Sequence, residues 1–408
     1  MFEWCILFYT FTDNELEIGT FKDLAKLTSQ YIIFNNIIIY MLIDTKTMGS
    51  YLITIKGNPY LNDMITMKRL HNLNMSKHET LSHFIYHSIK ESPSNRYALI
   101  LGGHGSGWFL QTENNSILPI AVLGNILREI QINIYNKTHK NNESINNENR
   151  NNESINNELI NNENRNNENR NNENRNNESI NNENRNNELI NNKSRNNEDE
   201  NNENKNKKQI EDKVNRKLFD LICFDNCLMS TIETINEIKD ITEYIIAYED
   251  YANWSGIIEP SFIKYFNNSE LSTFDIAKRL SLSLIGRLNI DKEAEPTDVS
   301  VISTDKISDL IDYIKRLSLN RPIDNRYCID PDYWQLQDLY SIILSSNNSQ
   351  KDFENFKLLF NGVIVFYLQT SNKHNSKHNG LSCIVDPEKD DYDKTESWKL
   401  LSLHLKFI

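Results

Sequence analysis

The chain has 408 residues, 38% of them hydrophobic, and a formal net charge of −13. That length fits two or three domains, but a long polar tract inflates it, and the remainder is ample for one sizeable core. The acidic balance argues against a nucleic-acid partner, because phosphate binding needs clustered Lys and Arg.

Five cysteines, Cys5, Cys223, Cys227, Cys328 and Cys383, are scattered and form no CxxC pair. They predict a reducing compartment, without a disulfide framework or a zinc site. Met1 to Cys5 offers no basic segment followed by an apolar run, so no secretory signal is visible. The apolar run Tyr31 to Ile43 is interrupted by Asn35 and Asn36 and falls short of the about 20 residues a bilayer span takes. The expectation is an intracellular, cytoplasmic protein with no membrane partner.

Trp4 to Thr10 reads as a buried strand, with Asp13 as a cap for the helix that follows. Tyr31 to Ile43 and Tyr51 to Ile55 are further strand candidates. Ser76 to Ser92 reads as a helix, and Ser76 with Glu79 fits a capping box. Tyr97 to Leu101 is a short apolar strand that runs into Gly102-Gly-His-Gly-Ser-Gly-Trp108. In α/β sheets, functional groups gather in such glycine-rich loops beyond the C-terminal ends of strands.

From Asn141 to Lys205 the chain is thirteen pentapeptides, each beginning Asn-Asn. Isolated Leu-Ile or Ser-Ile units build no packed face and Asn favours turns, so residues 138–213 are expected to be a disordered, low-complexity insertion. It is either a tolerated surface expansion or a processing or binding linker. Without it, the separation of His104 and Cys227 shrinks to what one strand and its connections need. The expected organisation is therefore one domain in two parts, residues 1–137 and 214–408.

Leu218 to Phe224 is another buried strand, and Asp225-Asn-Cys227 leads into Leu228, Ile232, Ile235 and Ile238 at helical spacing. Tyr244 to Tyr248 and Val363 to Leu368 read as strands, and Thr273 to Leu288 and Lys306 to Leu319 as amphipathic helices. Strands alternating with helices predict an α/β fold with a mostly parallel sheet covered on both faces.

Cys227 stands where a strand gives way to a helix, a position at which amide N–H groups and the helix dipole favour a thiolate. The alternative is a buried structural cysteine. His104 lies between Gly103 and Gly105 in a loop of small residues that leaves room for a substrate backbone and frees N–H groups for an oxyanion. Alone it could be a capping or buried histidine; with Cys227 it forms the expected nucleophile–base pair.

These residues carry a resemblance. Leu99 to Trp108 resembles the His-Gly-x-Gly-Trp box of clostripain-family peptidases, and Asp225 to Glu233 resembles their Asp-x-Cys-Leu-Met-x-x-x-Glu box. Trp4 to Leu16 is similar to the family's opening strand and turn, and Asn379-Gly-Leu-Ser382 to a late segment. The resemblance implies a caspase-like α/β/α sandwich and a cysteine endopeptidase acting through an acyl-enzyme. Cys227 would be the nucleophile, His104 the general base and acid, and the N–H groups of Gly105 and Cys227 the oxyanion hole. It also implies cleavage after Arg or Lys, with Asp225 as one acidic pocket residue. Ser255 stands where the family has a second acid. Maturation cleavage in the family tends to fall between the catalytic His and Cys. The insertion offers Arg150, Arg165, Arg170, Arg175, Arg185 and Arg195 there, so the chain is expected as a monomer or a self-cleaved two-chain form. The family pattern requires no cofactor for the chemistry; calcium stays open by resemblance, with no EF-type loop to place it. The competing expectation is an inactive homologue that binds peptides or scaffolds an assembly.

His83 and His87 lack the Glu of a metalloprotease helix and read as surface residues. His374 and His378 read as solvated loop residues. Gly102 to Gly107 has neither the spacing nor the Lys of a phosphate loop.

Overall fold

A computed structural model describes residues 1–12, 16–29, 36–56, 65–111, 116–135, 217–252, 260–291, 296–319, 329, 335–371, 378–385 and 397–406. Asp13, Ser255, Cys328, His374 and the Asn-rich insertion lie outside the described residues. Contacts divide the chain into a unit of Met1–Ile130 with Lys217–Ile408 and a second of Gln131–Arg216. The architecture is that of the first.

Its elements run β1 (Phe2–Thr12), α1 (Glu17–Ser29), β2 (Ile37–Thr45), β3 (Gly49–Lys56), β4 (Ile65–Arg69), α2 (His78–Glu91) and β5 (Ser94–Gly102). Short strands β6 (His104–Gly105), β7 (Phe109–Gln111) and β8 (Ile117–Pro119) follow, then α3 over residues 120–135. The second half holds β9 (Phe219–Asp225), α4 (Ile232–Ile238), β10 (Thr242–Ala247), α5 (Pro260–Phe266), α6 (Thr273–Leu288) and β11 (Asp298–Ser303). It ends with α7 (Ile307–Ile314), β12 (Leu336–Asp338), α8 (Leu339–Ser345), α9 (Gln350–Val363), β13 (Ile364–Gln369) and β14 (Ser382–Ile384).

Nine strands form one sheet in the order β13-β11-β10-β9-β5-β1-β2-β3-β4. The middle strands, from β10 through β2, are all parallel. Both flanks are antiparallel. Strands buried on both faces read as continuous apolar runs, and β2, Ile-Ile-Ile-Tyr-Met-Leu-Ile-Asp-Thr, is buried at every residue. Alternate side chains serve opposite layers. Trp4, Ile6 and Phe8 meet Leu24 of α1, Phe262 of α5 and Leu280 of α6 in one core. Tyr9 faces the other layer, its ring 5.7 Å from Phe84 of α2 and its hydroxyl donating to Met75 O at 2.8 Å. The result is the expected α/β/α sandwich.

Helix starts depart from expectation. Ser76 does not cap α2: its N–H and hydroxyl both turn back to Asn74 Oδ1, at 2.9 and 2.6 Å. The helix after Cys227 begins only at Ile232, where Thr231 accepts from the N–H of Thr234 at 3.1 Å. The residues between are taken up by bonds to other loops.

Glu233, the glutamate of the cysteine box, is buried in α4 and accepts the N–H of Ile384 in β14 at 3.2 Å. Burial pushes its carboxyl up to about 8. The folded chain thus keeps a proton that the unfolded chain releases above the ordinary carboxylate range, so this group's contribution to stability falls as pH rises from about 4.5 to about 8. Urea midpoints should therefore drop over that window by more in the native chain than in Glu233→Gln; parallel curves would show the carboxyl is already ionised.

Candidate active site

The site is built by strand register. β5 and β9 are parallel neighbours, and Gly102 ends the first opposite Asp225 at the end of the second. His104 and Cys227 each lie two residues further on, so the two loops leave the sheet side by side. Gly103 turns the first loop at φ +136°, where an added Cβ would stand 2.9 Å from the carbonyl of Phe11 at the end of β1. This is also where the chain order reverses about β1, the usual place for a site in an open α/β sheet.

The loops touch at Gly105. A Cβ there would lie 2.7 Å from Cys227 O, 2.8 Å from Met229 Sδ and 2.9 Å from Asn226 Cβ. Space expected for substrate at this glycine is thus filled by the cysteine loop itself. Asn226 adds a bridge, donating from Nδ2 to Gly103 O at 2.8 Å. On the other side β6 pairs with β7, His104 opposite Gln111, in a small antiparallel sheet completed by β8. His104 is therefore held by backbone pairing on one flank and by the Asn226 side chain on the other, a feature its glycine-rich sequence did not announce.

Cys227 is partly exposed. The expectation that a helix end faces its sulfur does not hold, because α4 starts five residues later. The contact comes from another loop: the N–H of Ala252 donates to Sγ at 3.3 Å. That loop follows β10 and also accepts Leu228 N–H at Asp250 O and Ser230 N–H at Tyr248 O, each at 2.9 Å. Leu228, fully buried, takes φ +64° to make its bond, a left-handed conformation that costs an ordinary residue about 1–2 kcal/mol. The thiol is pushed up to about 11, chiefly by burial; the Ala252 N–H opposes this, and Asp250 and Asp225 add to it. The sequence predicted a lowered value. It could not show that two carboxylates converge on the sulfur while the dipole is absent.

Asp225 is half-buried beside the pair, accepting from the hydroxyl of Tyr248 at 3.3 Å. His83 and His87 are exposed, as expected. His378 is not solvated: its Nδ1 lies 3.1 Å from Asp298 Oδ2 and 3.9 Å from Asp250 Oδ2, with 9% of its side chain exposed. Among the described residues, Glu249, Asp298 and His378 are the group whose donor atoms come within 4.8 Å of one another, close enough to meet at a cation. His378 and Asp298 bond each other, and Asp298 Oδ1 and Glu249 Oε2 are taken up by the backbone. Asp298 Oδ1 accepts the N–H groups of Glu249 and Asp250 at 3.0 and 3.3 Å, and Glu249 Oε2 accepts that of Gly380 at 2.6 Å. The segment Asn379–Ser382, singled out in the sequence, lies here because Ser382 N–H donates to Ser230 O and Ser230 Oγ to Gly380 O, at 2.9 and 2.6 Å. The described cysteines Cys5, Cys223, Cys227 and Cys383 are all free. No helix among the described residues is long and apolar enough to cross a membrane.

Solved structures share this architecture. A secreted C11 cysteine protease from Bacteroides thetaiotaomicron, in complex with an irreversible peptide inhibitor, superposes with a TM-score of 0.63 at 14% identity, over 98% of this chain and 97% of that one. An inactive zymogen C11 protease from Parabacteroides distasonis gives 0.58 at 16% identity, over 98% of both chains. A comparison with curated protein sequences returned no significant match. The fold is thus the caspase-like α/β/α sandwich that these structures share. Residues 181–377 match the clostripain family model, a stretch that includes Cys227 and begins after His104. Over that stretch the chain is similar to the clostripain family, and over nearly its whole length it shares the fold of the C11 protease structures.

Alkylation of Cys227 by iodoacetamide should be slow at neutral pH and accelerate toward pH 11. Asp225→Asn or Asp250→Asn should move that rise to lower pH, since each removes a negative charge facing the sulfur. A rate already flat at pH 7 would show that the thiolate is stabilised by groups beyond these. Gly105→Ala should cost about 1–3 kcal/mol in urea unfolding by forcing the loops apart.

Proposed function

We propose that the chain is a cysteine endopeptidase with His104 and Cys227 as its catalytic pair. The observation that carries this reading is the register of β5 and β9, which delivers both residues to one end of the sheet on touching loops. His104 would take the thiol proton as Sγ attacks the scissile carbonyl. The tetrahedral oxyanion would be held by the N–H groups of Gly105 and Cys227. Collapse would give a thioester and release the amine, which receives the proton back from the imidazolium. Water, deprotonated by His104, would then hydrolyse the thioester.

Asp225 is proposed to select Arg or Lys before the scissile bond. With Ser255 in place of a second acid, one carboxylate has to suffice, and selectivity should be shallower than two would give. The substrate is a protein or peptide, without nucleic-acid or membrane partners. Residues 138–213 are proposed as an insertion between two parts of one peptidase domain, 1–137 and 214–408. Its arginines would be the sites of self-cleavage, converting a monomer to an associated two-chain form. No cofactor enters the chemistry; calcium is a further proposal, read by adding a chelator to the assay. The free cysteines favour an intracellular, cytoplasmic location, which a tagged chain in fractionated cells would test.

The raised thiol favours a second reading, an inactive peptide-binding or scaffolding homologue. The two readings separate in one assay. The purified chain, Cys227→Ala and His104→Ala are incubated with fluorogenic peptides bearing Arg, Lys, Asp, Asn or Leu before the scissile bond. Cleavage after Arg or Lys that falls by about 10³-fold or more in either variant supports the peptidase. Asp225→Asn should then raise KM for Arg peptides most. Absence of cleavage with and without calcium, by intact and nicked chain alike, favours the binding module.

A further inference from the structure

Behind the loop that reaches Cys227 lies a group of carboxyls that the catalytic pair does not use. Glu249, Asp298 and Asp338 are each 0% exposed. Asp338 closes β12 and caps α8, accepting Ser341 N–H at Oδ1 at 2.6 Å. It also accepts both nitrogens of Asn379, the backbone N–H at Oδ2 at 2.9 Å and Nδ2 at Oδ1 at 3.0 Å. The next amide, Gly380 N–H, goes to Glu249 Oε2 at 2.6 Å. Consecutive amides thus hold the two carboxyls as near neighbours, and Asp338 raises the cost of charge on Glu249. Two acceptor-only carboxylates cannot bond one another; a hydrogen bond between them requires that one carry the proton.

Geometry says which. Both oxygens of Asp338 already receive N–H donors, as a carboxylate requires, and it sits at a helix start, where negative charge is favoured. Glu249 Oε1 is buried and receives no donor. We propose that Glu249 is a positioning residue, present as a neutral acid that donates from Oε1 to Asp338 and so locks the 248–252 loop that holds Cys227. From that loop Ala252 N–H reaches the sulfur, and Asp250 O holds Leu228 in its left-handed turn. The same lock ties in segment 378–382, whose Gly380 O receives Ser230 Oγ.

The charged surroundings agree. Asp338 and Asp298 face Glu249 and, after burial, push its carboxyl well above the ordinary range. His378 faces Asp298 and Asp250, Tyr367 donates to Asp298 Oδ2 at 3.4 Å, and the buried Cys383 thiol feels Glu249. Ionising Glu249 adds an anion among three acids, so the lock opens as pH rises and not as it falls.

This inference rests on reading Cys227 as the nucleophile, and its test does not depend on that reading. Wild type, Glu249→Gln and Asp338→Asn are compared, with EDTA throughout, by urea unfolding and by iodoacetamide labelling of Cys227 across pH 6–10. Glutamine keeps the donor to Asp338 and the acceptor for Gly380, so E249Q should fold and label like wild type near neutrality. Its stability should outlast that of wild type at alkaline pH, with the fall displaced upward by about one unit or more. The asparagine introduced by D338N would turn an NH₂ toward an N–H donor, so D338N should be the damaged variant. The proposal is overturned if E249Q is the damaged variant and D338N is tolerated, or if both follow the wild-type pH curve. It is also overturned if metal analysis without EDTA finds a stoichiometric divalent cation that E249Q loses. If active chain is in hand, the alkaline limb of peptide cleavage should move with E249Q. A chain that cleaves nothing leaves the unfolding and labelling results to decide.

Discussion

Two loops from adjacent strands approach until nothing larger than a hydrogen fits on Gly105, and the rest of the site depends on that contact. With a Cβ position 2.7 Å from Cys227 O, any other residue there would displace either the histidine loop or the cysteine loop. The approach is tight because the strands beneath it are parallel and in register up to Gly102 and Asp225. Backbone pairing fixes the separation of the sheet strands, and the loops inherit it.

From this contact outward the site is held by main-chain groups more than by side chains. Ala252 N–H, Asp250 O and Tyr248 O come from one loop and position Cys227, Leu228 and Ser230 in turn. That loop is anchored from behind by buried acids, and Asp250 and Asp225 both face the Cys227 thiol. A thiol in such a place is a stable resting form. It becomes reactive only when its proton has somewhere to go, so any nucleophilic role would need a base such as His104 to take it.

The sheet was readable in the sequence because strands covered on both faces must be apolar throughout; Trp4 to Thr10 and Tyr97 to Leu101 each fall within an observed strand. Amphipathic α6 was readable instead from its helical period of about 3.6 residues, with Ile276, Leu280, Leu284 and Leu288 on the buried face of Thr273–Leu288. The edge strand β4 was not, since all five residues of Ile65–Arg69 are exposed and carry no burial pattern. Of the site, His104 and Cys227 stood out by their place after strands. Glu249, Asp298 and Asp338 did not, because their meaning lies in contacts between distant positions, such as Asn379 with Asp338, 41 apart, and Gly380 with Glu249, 131 apart. His378 was misread for the same reason: a polar loop in sequence is a buried wall in space. The direction of the thiol shift was missed because strand-to-helix adjacency in sequence suggested a dipole that the intervening residues 226–231 remove.

The pairing of β5 with β9 also determines what a break between them would mean. One strand belongs to the part of the chain before the Asn-rich tract and the other to the part after it, and they meet in the middle of a buried sheet. Pieces joined by such a seam separate only by exposing the core on both sides, so dissociation and unfolding become the same event. Refolding, by contrast, would change from a unimolecular reaction to a bimolecular one that depends on concentration. A nicked molecule would persist for as long as it stayed folded and, once melted in dilute solution, would not readily return.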